Sequence, residues 1–312
     1  MVRTLTTLFP ALLITVSAIG QGCSDAGFCT MGAMKPDQPF NKKIELRLRS
    51  MEVTFYRATT SLTPVIYSAT ADLNFSLSRK TSFQLKLPFQ AVSGRLGKTS
   101  GIGDLSLCIT RNIYKTERFD INLSLGGKIP TNDSDKDNNG APLPMYYQTS
   151  LGTYDAIAGI SIISRHWLFA TGIQHPFNRN KNQFFWSDPH WTAKPELTDY
   201  IHEYAPARSL RRGTDVMFRI ERNFRFARLN ASLGVLPIIR INRDEITAAD
   251  GTRANPENTR GMALSALATV GYSMDVRNGV RVLAGHKIIN RDTNPDGLSR
   301  EMITTVSYYH RF

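Results

Sequence analysis

Met302-Ile303-Thr304-Thr305-Val306-Ser307-Tyr308-Tyr309-His310-Arg311-Phe312 is the stretch on which the fold turns. Side chains of an extended strand point alternately to two faces. Counted back from the last residue, Phe312, His310, Tyr308, Val306, Thr304 and Met302 share one face. Arg311, Tyr309, Ser307, Thr305 and Ile303 share the other. The first face is mostly apolar or aromatic, the second mostly hydroxylic with one charge. The sequence stops on Phe312, so the terminal carboxylate sits directly on the strand, where a soluble sandwich usually adds a solvated tail.

The same alternation runs back through the chain. Val65, Tyr67, Ala69, Ala71, Leu73, Phe75 and Leu77 oppose Ser68, Thr70, Asp72, Asn74 and Ser76. Phe83, Leu85, Leu87 and Phe89 oppose Gln84 and Lys86, and Leu105, Leu107 and Ile109 oppose Asp104, Ser106, Cys108 and Thr110. Val216, Phe218 and Ile220 stand against Asp215, Met217, Arg219 and Glu221. Near the start, Ile44, Leu46 and Leu48 oppose Glu45, Arg47 and Arg49, the phase changes near Ser50, and Met51, Val53 and Phe55 continue it. A one-residue slip of this kind is what a β-bulge produces. The strand from 279 to 290 has the least clean faces.

About 12 strands result, bounded by 10 and 14. Tight turns follow the second, fourth, sixth, eighth and tenth strands, at 78–81, 115–118, 164–166, Asn223 and 275–278. Longer connections fall between them, at 93–101 (a Gly/Ser-rich loop), 131–147, 178–210, 242–260 and 292–299. A sandwich or propeller has no reason to sort loop lengths by parity. A closed antiparallel transmembrane β-barrel has one, with short periplasmic turns, long extracellular loops and both termini in the periplasm. The expected fold is therefore all-β, such a barrel spanning residues 42–312.

Composition agrees. Mean hydropathy is −0.24, which excludes a bundle of apolar helices but not strands that need only alternate. The net charge of +12 comes from Lys and Arg scattered along the chain rather than clustered, so nucleic acid is not an expected partner. Part of this charge is expected to meet the phosphates of outer-membrane lipid and lipopolysaccharide. Residues 1–20 read as a secretory signal: Arg3, an apolar run at 8–16, and Ala18-Ile19-Gly20 as a small-x-small cleavage site. That run is shorter than the roughly 20 residues of a spanning helix. Gly20-Gln21-Gly22 before Cys23 is the lesser, lipoprotein reading of the same stretch. Residues 21–41 show no periodicity and are expected to form an irregular periplasmic segment, a candidate plug. Cys23 and Cys29 are the disulfide candidates of an exported chain, with Cys108 left over in a strand.

In a closed barrel the apolar face meets lipid and the polar face lines the lumen. The lumen and selectivity candidates are Arg47, Arg49, Asp72, Lys86, Asp104, Lys128, Asp155, Asp215, Arg219, Glu221, Arg228 and Arg311, with Glu45 and Asp120 on the same face. Both signs are present, so these residues form either a space-filling ladder of ion pairs or a selective constriction. Twelve strands fall between barrels of about 8, filled by side chains, and those of 16–18, which hold an aqueous channel. A narrow or plugged pore follows.

Catalytic patterns are thin. A barrel hydrolase built on His-x-Ser needs both side chains on one face, yet the residues two after His166, His175, His190, His202, His286 and His310 are Leu168, Phe177, Thr192, Tyr204, Ile288 and Phe312. No enzyme is expected. Residues 133–140 start like a calcium loop, but Asn138 stands where Gly is needed and Pro144 where the bidentate Glu is needed. Cys23, Cys29, Met31 and Met34 are a soft set for Cu(I), with the plain disulfide favoured. No metal or cofactor is expected. Phe184, Phe185, Trp186, Trp191 and Tyr200 in the longest loop suit an apolar or sugar ligand, or equally a loop packed on itself or on the membrane interface.

The terminal strand resembles the C-terminal strand of Gram-negative outer-membrane barrels, whose last residue is typically Phe. That resemblance implies Phe312 as an assembly signal read by the barrel assembly machinery; His310 departs from the bulky apolar residue or Tyr usual there. Leu87-Pro88-Phe89, Ser93-Gly94 and Gly101-Ile102-Gly103-Asp104-Leu105-Ser106-Leu107 form a second block, followed by Gly126-Gly127-Lys128-Ile129-Pro130-Thr131 and Ser150-Leu151-Gly152-Thr153-Tyr154-Asp155. Over residues 83–165 this resembles the MetA-pathway-of-phenol-degradation family, relatives of FadL-type transporters. The resemblance implies an outer-membrane channel for small solutes, apolar or aromatic in character, and carries over no substrate residue. The competing expectation is a non-transporting surface protein whose long loops bind a partner, with an outer-membrane hydrolase a distant third.

Overall fold

The structure, a computed structural model, describes residues 30–35 and 48–312. Its strands in chain order are β1 (Leu48–Thr59), β2 (Val65–Ser76), β3 (Thr81–Gly94), β4 (Gly97–Ile102), β5 (Leu105–Lys115), β6 (Phe119–Ile129), β7 (Asp137–Asn138), β8 (Ala141–Pro142), β9 (Asp155–Ser164), β10 (Trp167–Pro176), β11 (Asp215–Arg225), β12 (Leu229–Arg240), β13 (Ile246–Thr247), β14 (Arg253–Ala254), β15 (Gly261–Ser273), β16 (Asn278–Ile289) and β17 (Met302–Arg311). Two short helices, α1 (Pro189–Thr192) and α2 (Thr198–His202), sit in the longest loop. The pairs β7–β8 and β13–β14 are small hairpins set apart in loops.

Twelve of these strands form a closed antiparallel barrel. The first long strand pairs with the last, from Ser50 opposite Arg311 to Thr59 opposite Met302. Closure leaves no row of unpaired N–H and C=O groups, the condition hydrocarbon imposes. The thirteenth strand, β4, pairs with the upper half of β3 alone. Lys86 faces Ser106 below and Phe89 faces Ile102 above, so Leu87 and Pro88 oppose the three residues Gly103, Asp104 and Leu105. This is a bulge: β4 continues the line of β5 past one extra residue. Pro88 has no N–H to offer the ladder, and its carbonyl takes the Gly103 N–H at 2.8 Å. A second register shift, between Leu48 and Ser50, lies where the hydrophobic phase slips in the sequence.

One expectation fails here. Residues 93–101 are not a loop: β3 and β4 run to a tight turn with Gly94 paired to Gly97. Glycines at the end of a hairpin make the turn rather than break the ladder.

The barrel is apolar outside and polar inside. Phe55, Tyr67, Leu87, Ile109, Leu125, Ile160, Phe169, Phe218, Leu233, Val270, Val282 and Val306 are all exposed, one on each barrel strand. Leu123 and Leu229, which a two-layer sandwich would bury, are exposed at 40% and 42%. Exposed Tyr114, Trp167, Phe224, Phe226, Tyr272, Tyr308 and Phe312 ring the end that carries the chain terminus, and Tyr67, Phe89, Tyr154 and Phe177 stand toward the other. A strand of about 12 residues at roughly 3.3 Å per residue, tilted about 40°, stands close to the ~30 Å of a hydrocarbon core.

Connections at the terminus-bearing end are short: 77–80, 116–118, 165–166, 226–228 and 274–277. At the far end lie 130–154, 177–214, 241–260 and 290–301, whose side chains build most of the apolar packing outside the lumen. Among the described residues, no helix is long and apolar enough to cross a membrane.

Candidate lumen site

Inside the barrel, period two delivers charged or hydroxylic side chains from most strands; β10 instead turns Leu168, Ala170, Gly172 and Gln174 inward. Asp72, Asp104, Lys128, Asp155, Asp215, Arg219 and Glu221 are all buried on the lumen side, and Lys86 is half-buried there. Arg219 and Glu221, two apart on β11, pair at 2.7 Å.

Residues 30–35 lie within this interior. The Gly32 N–H donates to Gln84 Oε1 at 2.8 Å and the Ala33 N–H to Ser124 Oγ at 2.6 Å. Lys86 Nζ donates to Thr30 Oγ1 at 2.7 Å. Lys35 Nζ bridges Glu52 at 2.8 Å and Asp72 at 3.0 Å. Asp72 also accepts from Gln84 and Asn74, and Arg281 reaches Glu52 at 3.2 Å. Apolar contacts complete the seat: Met31 and Met34 pack with Cys108, Ile157, Met217 and Leu236. Met34 fits because Gly159 and Gly172 lack side chains; a Cβ there would stand 2.8 Å and 2.2 Å from its sulfur.

Above this segment the far-end loops fold inward and are held by buried charge. Asp104, raised into the lumen by the bulge, accepts from Ser150 Oγ at 2.5 Å and from the Leu151 N–H at 3.1 Å. Gly103 must be glycine for this approach, since a Cβ would lie 3.0 Å from the Thr149 carbonyl and 2.8 Å from Gln90 Nε2. Asp155 takes Arg212 of loop 177–214 at 2.6 Å and Thr153 at 2.7 Å. Arg240 is the hub. It meets Asp215 at 2.7 Å, Asp244 of loop 241–260 at 2.9 Å and Asp296 of loop 290–301 at 2.6 Å. Arg291 adds contacts of 3.6 Å to Asp215 and 3.5 Å to Asp296. Burial penalises the Asp296 carboxylate, but Arg240, Arg291 and Arg212 outweigh it and hold its pKa well below the usual range. Asp244 goes the other way, raised by burial despite Arg240, with Asp296 adding to the rise.

An aromatic cap seals one side of the mouth. Tyr146 and Tyr200 each pack edge-on to Tyr204 at 5.4 Å, and the Tyr200 and Tyr204 hydroxyls lie 2.7 Å apart. Tyr147 accepts the Leu96 N–H at 3.1 Å. Burial pushes the Tyr146 phenol up to about 12. Trp191 and Phe184 pack here, and Trp191 donates its indole N–H to the Pro142 carbonyl at 2.8 Å. The loop aromatics thus pack largely on one another and on β2 to β4.

Between the inner segment and these loops remains a cavity of about 170 Å³. Its lower wall is polar, with Lys35, Glu52, Asp72 and Lys86. Leu267, Leu283, Ile303, Met145 and Leu298 line another part.

Several expected lumen residues lie elsewhere. Arg228 is in the exposed turn 226–228, and Arg311 is exposed at the end of its strand with its guanidinium 4.9 Å from the Tyr309 ring. Turns and strand ends escape the two-face rule that placed both inside. Arg49 is half-buried at the first bulge. Arg47, Glu45, Cys23 and Cys29, with the segments 1–20 and most of 21–41, lie outside the described residues; Cys108 is a buried free thiol. Phe312 is 64% exposed. Conversely, Lys35, Glu52, Arg212, Arg240, Arg281 and Lys287 belong to the interior and were not anticipated. Glu52 follows the phase slip, Arg240 lies beyond Pro237, and Arg281 and Lys287 share their inward face with Gly279, Leu283 and Gly285.

Three histidines have partners other than serine: His175 contacts Thr214 at 2.8 Å, His190 contacts Asp188 at 3.1 Å, and His310 contacts Asn278 at 2.8 Å. In the loop that begins like a calcium site, Asp133 pairs with Lys181 at 2.9 Å and Asp137 accepts the Gly140 N–H. Among the described residues no group of three His, Cys, Asp or Glu side chains converges on a metal-sized point.

No family model matches the chain, so the resemblance over residues 83–165 stands on its own residues. No curated protein matches either. Solved structures do. An outer-membrane channel from Pseudomonas putida F1 superposes with a TM-score of 0.62 at 13% identity, covering 88% of this chain and 99% of that one. The NanC porin gives 0.46 at 8% identity over 84% and 98%, and the KdgM porin 0.42 at 7% over 84% and 99%. At these identities the first likeness speaks to the fold, a 12-stranded outer-membrane type of barrel.

Proposed function

We propose that the chain is an outer-membrane β-barrel of a Gram-negative bacterium that passes small solutes passively, with no catalytic chemistry of its own. The observation that carries this reading is an unfilled cavity of about 170 Å³ inside a closed barrel whose outer surface is apolar on every strand. A barrel that served only as an anchor needs no such space. In this reading the long-loop end faces the cell exterior and the short turns face the periplasm. Residues 30–35 act as part of a plug, seated by side-chain hydrogen bonds and by Met34. The inward loops 130–154, 241–260 and 290–301 form the gate.

The solute reading follows from the walls. Leu267, Leu283, Ile303, Met145 and Leu298 offer an apolar surface, which suits small apolar or aromatic compounds and fits the MetA-pathway resemblance. Among the charges the cavity touches, Lys35, Lys86, Lys128, Arg219, Arg281 and Arg300 outnumber Glu52, Asp72, Asp104 and Asp296. A solute carrying a carboxylate would be favoured over its amine counterpart. Lipid, lipopolysaccharide and, through Phe312, the barrel assembly machinery are the expected partners.

Single-channel conductance and liposome swelling on the refolded protein test the reading. Solute flux that rises when the plug or the loops are loosened is the expected result. The ion-tied loops across the mouth favour the one rival, a surface anchor whose loops bind a partner, and a barrel that conducts nothing even with those loops loosened would establish it.

A further inference from the structure

The outer wall carries a feature that transport does not use. Register across β17, β1, β2 and β3 sets two outward rows: Thr304, Arg57, Tyr67 and Ala91 in one, Val306, Phe55, Ala69 and Phe89 in the other. The small residues Ala69, Ala91 and Thr304 fall between the projecting rings of Phe55, Tyr67 and Phe89. They leave a hollow of about 450 Å³ on the lipid-facing side. Neighbouring sheet faces of matched size would pack flat; here three aromatic rings stand around a floor of methyl groups.

Arg57 borders this hollow. It is exposed, and it lies two residues short of the end of β1 at Thr59. Its outward neighbours in the row above are Met302, Thr59 and Val65, and no acid stands among them or in the two rows already named. A cation on the lipid face of a barrel is unfavourable at the midplane and nearly neutral close to the interface. Its place beside Tyr67 sets Arg57 at the interface level, where the side chain extends toward headgroups. A guanidinium matches phosphate with two parallel N–H···O bonds.

We infer that the hollow and Arg57 form a binding site for one molecule of a phosphorylated, multiply acylated glycolipid of the outer leaflet, the lipid A class. One acyl chain fills the space over Ala69 and Ala91 between Phe55 and Phe89, and a phosphate sits on Arg57. The inference rests on the proposed orientation, with the long loops facing the exterior, because that leaflet supplies the phosphorylated glycolipid. Charge complementarity selects the occupant: a zwitterionic phospholipid fills the hollow as well but offers its phosphate with a competing ammonium.

Native mass spectrometry of the purified, folded protein tests this, with bisphosphorylated lipid A, the same lipid dephosphorylated, and phosphatidylethanolamine as probes. Wild-type protein should retain one bisphosphorylated lipid A in preference to both others. Arg57→Gln should lower that occupancy about tenfold, the scale of one charge-assisted contact, and remove the preference for phosphate. Ala69→Leu, which fills the floor, should weaken both forms of lipid A alike. Unchanged occupancy in Arg57→Gln, or equal retention of the dephosphorylated lipid by wild type, overturns the site. Heat-modifiable gel mobility reports that each variant is folded, and conductance should stay at the wild-type level because neither residue reaches the lumen. Lost lipid selectivity with intact conductance sinks this site alone; intact selectivity without conductance sinks the channel reading alone.

Discussion

Arg240 and Asp296 are 56 residues apart in sequence and lie 2.6 Å apart at the centre of the mouth. Because Arg240 stands at the end of a barrel strand and Asp296 in loop 290–301, their contact ties a connection to the wall. Asp296→Asn keeps the shape and removes the charge. Arg240 retains Asp215 and Asp244, so the cost should stay below the ~3–5 kcal/mol of breaking an isolated buried pair. The expected result is a folded barrel of higher conductance, read in planar bilayers.

Acid should act on the same contact. The Asp296 pKa is depressed in the folded protein, so its contribution is complete above the ordinary carboxylate range near pH 4 and declines as pH falls through the lower folded value. Asp244, raised instead, takes up its proton earlier and partly offsets the loss by relieving repulsion with Asp296. Conductance measured against pH on the long-loop side should therefore stay flat down to about pH 4 and rise below it. Asp296→Asn should show the high conductance already at neutral pH.

The inner segment offers a steric test. Gly172→Val places carbon where Met34 sulfur now lies, since even a Cβ would approach it to 2.2 Å. Overpacking of this kind costs about 1–3 kcal/mol, and here it falls on the seated segment more than on the ladder. Larger and noisier single-channel currents are expected. Lys35→Ala, which strips Glu52 and Asp72 of their bridge, should do the same without added bulk. Wild-type currents in both variants would rule out a plugging role for residues 30–35.

The membrane assignment can be tested at one exposed position. Leu125 is 60% exposed midway along β6. In water, Leu125→Arg would be nearly neutral. Against hydrocarbon it should cost about 2–4 kcal/mol, measured by denaturant refolding into phospholipid vesicles. A change within about 0.5 kcal/mol, as expected of a water-exposed site, would mean that this face does not meet lipid.

How far the sequence could be read depended on periodicity. Strand faces were legible wherever alternation was unbroken, as from Val65 to Leu77 and from Asp215 to Glu221, because a two-residue period needs only neighbours to be known. The sorting of loop lengths was legible from β6 onward, whereas the far-end connections 60–64 and 95–96 are short. What failed lay where that period stops. Arg228 and Arg311 were assigned to the lumen by extending alternation into a turn and a strand end. Glu52 lies three residues past Arg49 at the first bulge, where the phase has changed. The Gly/Ser-rich stretch 93–101 looked like a loop because glycine lowers strand propensity, yet its partner strand supplied the hydrogen bonds. Convergence was legible only between Arg240 and Asp244, four residues apart; nothing local brings Asp296 and Arg212 to them, since those two arrive from other connections.

The pairing of β1 with β17 also orders events in time. Until the last strand arrives, both β1 and β16 present a raw margin of amide groups, and the closing contacts span some 250 positions of chain, from Thr54 to Ser307. Seams of such long range form slowly, and an open margin recruits foreign strands meanwhile. Biogenesis of this chain therefore calls for an escort that shields both margins until the ring is complete.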